Sequence, residues 1–284
     1  MTGGTGFIGG ALVAALAARG DEATVVSRTP GVGRIGWDGL DAAIDGADAV
    51  VNLAGEPIAD ARWTSARLAL LRSSRVDATT RVASAIARAV CKPRVLVSGS
   101  AIGFYGTHTD DAVVAEGAPP GDDALARLTV AWEEAARPAA SVTRVAYPRI
   151  GVVLGRGGGA LQKLALPFRW FVGGPVGTGA QWVSWVHLHD MVRALLFAVD
   201  TEAIVGPFNV TGPHPVTMNE LARTLGAVMR RPSALRVPGF ALRLALGDGL
   251  AQVLLTGRRI APRALVDAGF AFELPDIGRA LAAI

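Results

Sequence analysis

This sequence of 284 residues has a single cysteine, Cys91. One thiol cannot form an internal disulfide, and the residues around it offer no partners for a metal site or a thiol nucleophile. No apolar run reaches the ~18 residues that a membrane-spanning helix requires. The chain opens on a glycine-rich loop, where a secretory signal would place a charged segment and an apolar core. We therefore expect a cytoplasmic protein with neither a metal nor a membrane partner.

Lysine is almost absent: Lys92 and Lys163 are the only two, although lysine and arginine together number 28 against 24 acidic residues. The arginines are scattered and form no dense basic run, so the net charge of +4 does not indicate a nucleic-acid partner. A small anionic ligand accounts better for the excess of positive charge. Because 51% of the residues are hydrophobic and 18% are charged, the composition suits a globular core.

Glycine, in contrast, is concentrated at the start of the chain, in Thr2-Gly3-Gly4-Thr5-Gly6-Phe7-Ile8-Gly9. An apolar helical pattern follows, and then a β-branched run ends at Val26. This order is typical of the phosphate-binding turn of a dinucleotide-binding unit, in which the glycines permit a tight turn and close backbone contacts. The first turn of the helix then offers free N–H groups to phosphates. The candidate contacts are Gly3, Thr5, Gly6, Phe7 and Ile8.

A phosphate-binding turn normally follows a complete β-strand, and here only Met1 and Thr2 precede it. We expect the first strand to be truncated, with Met1 at the place of its last apolar residue.

Arg28 stands just after the second predicted strand, at the position that distinguishes the two nicotinamide dinucleotides. An acidic residue there binds the ribose 2′-hydroxyl of NAD, whereas arginine accommodates the 2′-phosphate of NADP. Asp21 and Glu22 come too early, at the start of the strand. The sequence therefore predicts NADP(H). The alternative is that Arg28 is a solvated surface residue with no role in cofactor binding.

Strands and helices alternate along the rest of the first half. Strands are predicted at 48–55 and 94–98, a long helix at 63–90, and a strand at 142–154 that is broken near Pro148. This alternation predicts an α/β Rossmann fold, a doubly wound parallel sheet with helices on both faces. We assign residues 1–155 to the dinucleotide-binding domain. Residues 156–284 form mostly a smaller C-terminal substrate lobe, with some segments returning to the first domain.

The apolar run 240–255 is interpreted as one helix. It is either a core helix of the small lobe or the interface of a homodimer.

Several motifs resemble the extended short-chain dehydrogenase/reductases, and in particular an atypical branch of the sugar-nucleotide epimerase group known as epimerase family proteins. They are the glycine turn, residues 52–58, Arg62-Trp63-Thr64, Ser74-Arg75, Ser98-Gly99-Ser100, residues 151–155, Gly173-Gly174-Pro175, Gln181-Trp182 and Trp185-Val186-His187. The resemblance spans essentially the whole chain. It implies NADP(H) binding, with further cofactor contacts at Ser27, Arg28, Leu53, Ala54, Gly55, Arg75 and Ser98.

The sequence departs from the wider superfamily at its acid/base pair. Typical members carry a tyrosine and, four residues later, a lysine. Here Tyr105 is followed at that distance by Thr109 and Tyr147 by Gly151, so no such pair exists. Where the resemblance would place the pair, ahead of Trp132-Glu133, the chain has Leu125 and Thr129.

Three residues are candidate replacements for that pair. Ser100 matches the active-site serine of the superfamily and would bind a substrate oxygen. Tyr105 follows in the same loop, and Glu56 could act as a base at the mouth of the third strand. Trp182 and His187 are candidate substrate contacts.

Two functions remain open at this point. One is an NADP-dependent oxidoreductase or epimerase acting on a small carbonyl or nucleotide-sugar-like substrate, which the substrate lobe favours. The other is a non-catalytic NADP(H)-binding sensor or partner-binding protein, which the missing pair favours.

Overall fold

The computed structural model describes residues 1–108 and 110–284, and it confirms the predicted α/β Rossmann fold with a parallel sheet. The strands are β1 (Val25–Val26), β2 (Arg34–Ile35), β3 (Ala49–Asn52), β4 (Val95–Ser98), β5 (Ser100–Ala101), β6 (Val113–Val114), β7 (Arg144–Ile150), β8 (Val152–Leu154), β9 (Trp182–Val183), β10 (Trp185–His187), β11 (Gly206–Val210), β12 (Val216–Thr217) and β13 (Arg259–Ile260).

The main sheet runs in the order β2-β1-Thr2-β3-β4-β7-β11, and all of its pairings are parallel. Thr2 bridges Val26 on one side and Asn52 on the other, so it occupies the central strand position. Its N–H donates to the Val51 carbonyl at 3.0 Å. Chain order reverses at this position, and ligands of doubly wound sheets bind at such a switch point, beyond the carboxyl ends of the strands.

Strand β7 is continuous across Pro148, which differs from the predicted break there. It pairs with β4 as far as Ala146 and resumes pairing with β5 at Arg149. Pro148 falls between these two pairings. The N–H that proline lacks is therefore not needed for a hydrogen bond to β4 or β5. The chain leaves the main sheet at Gly151, and β8 then pairs with β10 in a separate small sheet.

The helices are α1 (Phe7–Arg19), α2 (Leu40–Ile44), α3 (Ser65–Arg88), α4 (Ala124–Ala136), α5 (Gly159–Arg169), α6 (Leu188–Asp200), α7 (Met218–Met229), α8 (Gly239–Leu246), α9 (Asp248–Leu255), α10 (Arg263–Asp267) and α11 (Ile277–Ala282). Short 3₁₀ segments lie at Trp37–Gly39, Ile102–Tyr105 and Arg137–Ser141.

Helices cover both faces of the sheet. On one face, Leu12 of α1 and Leu195 of α6 pack with Val97 of β4. On the other, Val82 and Ile86 of α3 join a second cluster. Strand β4 is buried throughout its length because both of its faces are covered in this way.

A third apolar cluster joins elements from the second half of the chain. Members of this cluster from α5, α7, α11, β8 and β10 include Leu161, Phe168, Leu221, Leu281, Leu154 and Trp185. Helix α6 and strand β11, by contrast, contribute to the core of the main sheet through residues such as Leu195 and Phe208.

The apolar run 240–255 forms two helices, α8 and α9, so its interpretation as one helix is wrong. The break lies at Gly247, whose φ of 81° interrupts the helical backbone. No residue of α8 is buried, whereas α9 buries Leu250 and Ala251. Among residues 1–108 and 110–284, no helix combines the length and apolar character needed to cross a bilayer.

Candidate functional site

The glycine turn is built on close backbone contacts. Gly3 has a φ of 70°, and a Cβ added there would lie 2.5 Å from the carbonyl carbon and oxygen of Leu53. A Cβ at Gly9 would lie 2.1 Å from the carbonyl oxygen of Gly3. The Gly6 N–H donates to that same oxygen at 3.0 Å and closes the turn. Side chains are therefore excluded at Gly3 and Gly9 by neighbouring backbone.

The first turn of α1 is open to an anion. Gly6 is the N-cap residue and has no side chain with which to cap the helix, and the first turn holds no acidic residue. Thr5 and Gly6 are exposed. The free N–H groups and the positive end of the helix dipole fit a phosphate group.

Phe7 and Ile8, two of the predicted contacts, have side chains committed to packing. A Cβ at Gly158 would lie 2.7 Å from the Phe7 ring, so this ring lies on the loop before α5. Ile8 packs against the core of the main sheet. Only their main-chain N–H groups are therefore available to a ligand.

Arg28 projects from the end of β1 beside the turn. Its side chain is 84% exposed, and one guanidinium nitrogen donates to Glu56 Oε1 at 2.8 Å. The other oxygen of Glu56 lies 3.6 Å from Arg67. Ser27 Oγ accepts a hydrogen bond from the Thr29 N–H at 3.2 Å. Glu56 is thus a carboxylate that is paired with two arginines.

Arg75, on α3, supports the loop after β3. It donates to the Glu56 carbonyl at 2.9 Å and to the Leu71 carbonyl at 3.1 Å. Its guanidinium lies 3.0 Å from where a Cβ of Gly55 would stand. Burial lowers the pKa of Arg75 to about 10, so the side chain keeps its positive charge at neutral pH. It therefore holds residues 53–56 in place and adds positive charge at this edge of the sheet.

Two serines lie where β4 ends. Ser98 is fully buried, and its Oγ has no hydrogen-bond partner in the described part of the chain. Ser100 Oγ donates to Glu133 Oε1 at 2.5 Å. Because its proton is engaged, Ser100 can offer only its lone pairs to a substrate in this arrangement.

Glu133 and Arg149 were not singled out as site residues from the sequence, yet they organise this corner. Arg149 donates to both carboxylate oxygens of Glu133, at 2.8 and 2.9 Å, and to the Tyr105 hydroxyl at 3.0 Å. Arg149 is almost fully buried in strand β7. A charged residue inside an apolar strand needs a partner, and that signal could have identified the pair from the sequence.

Tyr105 is buried, and its hydroxyl donates to Asn209 Oδ1 at 2.7 Å. Burial raises the pKa of Tyr105 above its ordinary value, although the hydrogen bond from Arg149 opposes the rise. Tyr105 therefore stays protonated at neutral pH and does not extend into an open cleft. It shares one network with Ser100 through Arg149 and Glu133, whereas Glu56 belongs to the separate arginine cluster around Arg28.

The two positions expected to carry the acid/base pair lie on α4. Thr129 Oγ1 donates to the Leu125 carbonyl at 2.8 Å, and both residues contact the Ile102–Tyr105 segment near Gly103. Neither side chain can replace a tyrosine or a lysine as a proton donor.

The predicted substrate residues occupy different places. Trp182 Nε1 donates to Asp111 at 2.6 Å, and Arg259 lies 4.8 Å from its ring. His187 caps α6, because its Nδ1 accepts the His189 N–H at 3.1 Å. Burial lowers the pKa of His187. With Arg156 and His189, it lines a cleft of about 340 Å³ beside α1 and α6.

A parallel sheet in doubly wound order, with a glycine turn at its switch point, defines the class of dinucleotide-binding Rossmann proteins. Residues 1–211 match the NAD dependent epimerase/dehydratase family, and the chain belongs to that family. Residues 237–284 match a second family model, the domain of unknown function DUF1731.

The similarity to known proteins extends over the full chain. Epimerase family protein SDR39U1 of Bos taurus is 40% identical, over 98% of this chain and 96% of its own. The crystal structure of human epimerase family protein SDR39U1 (isoform 2) with NADPH superposes with a TM-score of 0.95 at 39% identity, covering 100% of this chain and 97% of that one. A nucleoside-diphosphate sugar epimerase from Corynebacterium glutamicum matches at 34% identity and a TM-score of 0.80, over 99% of this chain and 56% of its own.

Proposed function

We propose that this protein binds NADP(H) at the carboxyl edge of its main sheet. The observation that carries the proposal is the first turn of α1, which has neither a side-chain cap nor an acidic residue and follows a glycine turn packed on the Leu53 backbone. The NADPH held by the human relative supports the same choice of cofactor as the sequence.

The chain supplies a set of groups suited to each part of such a ligand. The N–H groups of the Gly3–Ile8 turn, apart from that of Gly6, which is bonded to Gly3, would receive the diphosphate, and Arg28 would pair with the 2′-phosphate. The backbone of Leu53 and Ala54 packs on Gly3 of that turn, and residues 53–55 stay predicted contacts of the dinucleotide.

We further propose that the protein is an oxidoreductase or epimerase acting on a small carbonyl or nucleotide-sugar-like substrate. Bound NADP(H) would supply or accept the hydride. Ser100 is the leading candidate for a contact with the reacting oxygen. Its hydroxyl proton is donated to Glu133, so its oxygen would accept a hydrogen bond from a substrate hydroxyl. Catalytic roles for Tyr105 and Glu56 stay predictions, and their hydrogen bonds and ion pairs make them weaker candidates.

Substitution of Arg28 tests the choice of cofactor. Arg28→Ala removes a charged hydrogen-bond donor to the 2′-phosphate, so the ratio of NADPH to NADH affinity should fall by roughly tenfold or more. Arg88→Ala, at the far end of α3, is the matched control and should leave that ratio unchanged. Titration calorimetry with both dinucleotides makes the measurement. An unaltered ratio in Arg28→Ala would remove the 2′-phosphate assignment.

A second function, a non-catalytic NADP(H) sensor, is favoured by one specific observation. The hydroxyl protons of both Ser100 and Tyr105 are donated to other side chains of the protein, and the usual tyrosine–lysine pair is missing. A substrate screen that follows the absorbance of reduced nicotinamide separates the two functions. Turnover that Ser100→Ala abolishes supports the enzyme, whereas NADPH binding with no turnover on any carbonyl or nucleotide sugar supports the sensor. If Ser100→Ala, Tyr105→Phe and Glu56→Gln all keep full turnover, the proposed catalytic roles are wrong.

A further inference from the structure

The exposed aromatic side chains of the described residues all lie in one region of the second half of the chain. Trp170 is 74% exposed, Phe171 57% and Phe240 72%. Four exposed aliphatic residues lie in the same two segments of the chain, residues 160–174 and 229–246. We call this set the apolar face: Leu166, Trp170, Phe171, Val172, Leu235, Phe240 and Leu244.

Contacts between the two segments hold residues 171–173 beside residues 231–235. The Leu235 N–H donates to the Gly173 carbonyl at 3.2 Å, and the Arg231 guanidinium lies 4.3 Å from the Phe171 ring. The loop between β3 and α3 contacts both α5 and α8. Lys163 of α5 donates to the Ala59 carbonyl at 2.6 Å, and Arg62 donates to the Ala245 carbonyl of α8 at 2.9 Å.

The apolar face is not packed against the rest of the protein. Helix α8 reads GFALRLAL, and none of its residues is buried. Phe171 has a φ of 61°, a left-handed backbone conformation that is unfavourable for an aromatic residue. A group of exposed apolar side chains of this kind marks a site of interaction.

The charges around the apolar face are mostly positive, although Asp60 pairs with Lys163 at 2.7 Å and Asp248 lies 4.0 Å from Arg243. Residues 160–174 and 229–246 contain six basic residues and no acidic residue: Lys163, Arg169, Arg230, Arg231, Arg236 and Arg243. In a symmetric dimer the same patch would face itself and bring like charges together. A second copy of this chain is therefore a poor occupant, and an anionic surface is a good one.

We propose that the apolar face binds the surface of an anionic phospholipid bilayer. Trp170, Phe171, Phe240 and Leu244 would enter the boundary between headgroups and acyl chains, where aromatic and leucine side chains are favoured. The surrounding arginines would lie at the level of the lipid phosphates. Such peripheral contact needs no spanning segment, so the expectation of no membrane partner, which rested on the lack of a long apolar run, does not bear on it.

Flotation with vesicles tests this proposal on the full chain. One set of vesicles is phosphatidylcholine alone, and the other contains an equal share of phosphatidylglycerol. The protein should float only with the second set. Phe240→Ser combined with Leu244→Ser should weaken partitioning by roughly a hundredfold. Arg169→Gln combined with Arg243→Gln should weaken it by roughly thirtyfold.

A matched control changes the same residue types on α3, with Leu70→Ser and Arg72→Gln, and should partition like the unmodified protein. Because the altered side chains are exposed, each variant should keep its circular dichroism spectrum and its affinity for NADPH, which shows that it is folded. Absence of flotation with phosphatidylglycerol vesicles, or equal flotation of all variants, would overturn the proposal. So would a dimer in light scattering that the Phe240/Leu244 variant dissociates, because the face would then bind a second copy.

Discussion

Two corners of the same sheet edge differ in how their polar groups are used. At the glycine turn, backbone packs on backbone, and the helix N–H groups remain open to a ligand. Arg28 keeps an 84% exposed side chain there, although it pairs with Glu56. At the ends of β4 and β7, Ser100, Glu133, Arg149 and Tyr105 are hydrogen-bonded to one another. The first corner is prepared for an anionic ligand. The second is satisfied internally, so acid/base chemistry there has to use the lone pairs of Ser100 or break existing hydrogen bonds.

The largest expected effect tests whether the second corner is a buried ionic network. Arg149→Met leaves the Glu133 carboxylate without its charged partner, and breaking such a buried pair costs about 3–5 kcal/mol of unfolding free energy. The matched control is Arg137→Ala, because Arg137 forms an exposed pair with Glu134 at 2.9 Å. That change should cost less than about 0.5 kcal/mol. Urea denaturation measures both, and equal small losses would show that the network contributes little.

Two adjacent glycines test the first corner. The Cβ of Gly9→Ala would collide with the Gly3 carbonyl, so we expect about 1–3 kcal/mol of destabilisation and a rise in the Kd for NADPH of up to roughly a hundredfold. Gly10→Ala meets nothing closer than the Gly4 carbonyl oxygen at 3.8 Å. It should bind NADPH normally and gain about 0.5–1 kcal/mol as a helical alanine. Identical behaviour of the two variants would contradict the close packing of the turn.

The smallest effect concerns His187, outside both corners. Burial lowers its pKa from 6.5 in the folded protein, so protonation favours the unfolded chain. The contribution of neutral His187 to stability is therefore complete above pH 6.5 and is lost as the pH falls toward the folded pKa. His187→Asn keeps a capping acceptor and removes this titration. Thermal melts between pH 5 and 7.5 should show the wild type losing on the order of 1–2 °C more than the variant, and parallel curves would contradict the assignment.

The sequence predicted the structure best where a residue pattern is compatible with only one local structure. Glycines at 3, 6 and 9 followed by a helical pattern predicted the turn, and β/α alternation predicted the sheet. It was least informative about partners that are distant in sequence. The Phe240–Leu246 stretch reads as a buried helix, but burial depends on whether another element covers it. Tyr105 looked free in a loop, yet Asn209, 104 residues away, accepts its proton.

The Pro148 prediction failed for a related reason. Proline interrupts a strand only where a neighbouring strand needs its N–H, and the gap between β4 and β5 lies beside it. Whether proline breaks a strand thus depends on the register with the neighbouring strands, and this register cannot be derived from the sequence of one strand.

The most direct test of the central claim is titration calorimetry of the unmodified protein with NADPH and with NADH. An open turn beside Arg28 predicts that NADPH binds at least about tenfold more tightly than NADH, the effect of one charged contact to the 2′-phosphate. Equal affinities would contradict the role of Arg28. Absence of binding by either dinucleotide would contradict the cofactor site itself.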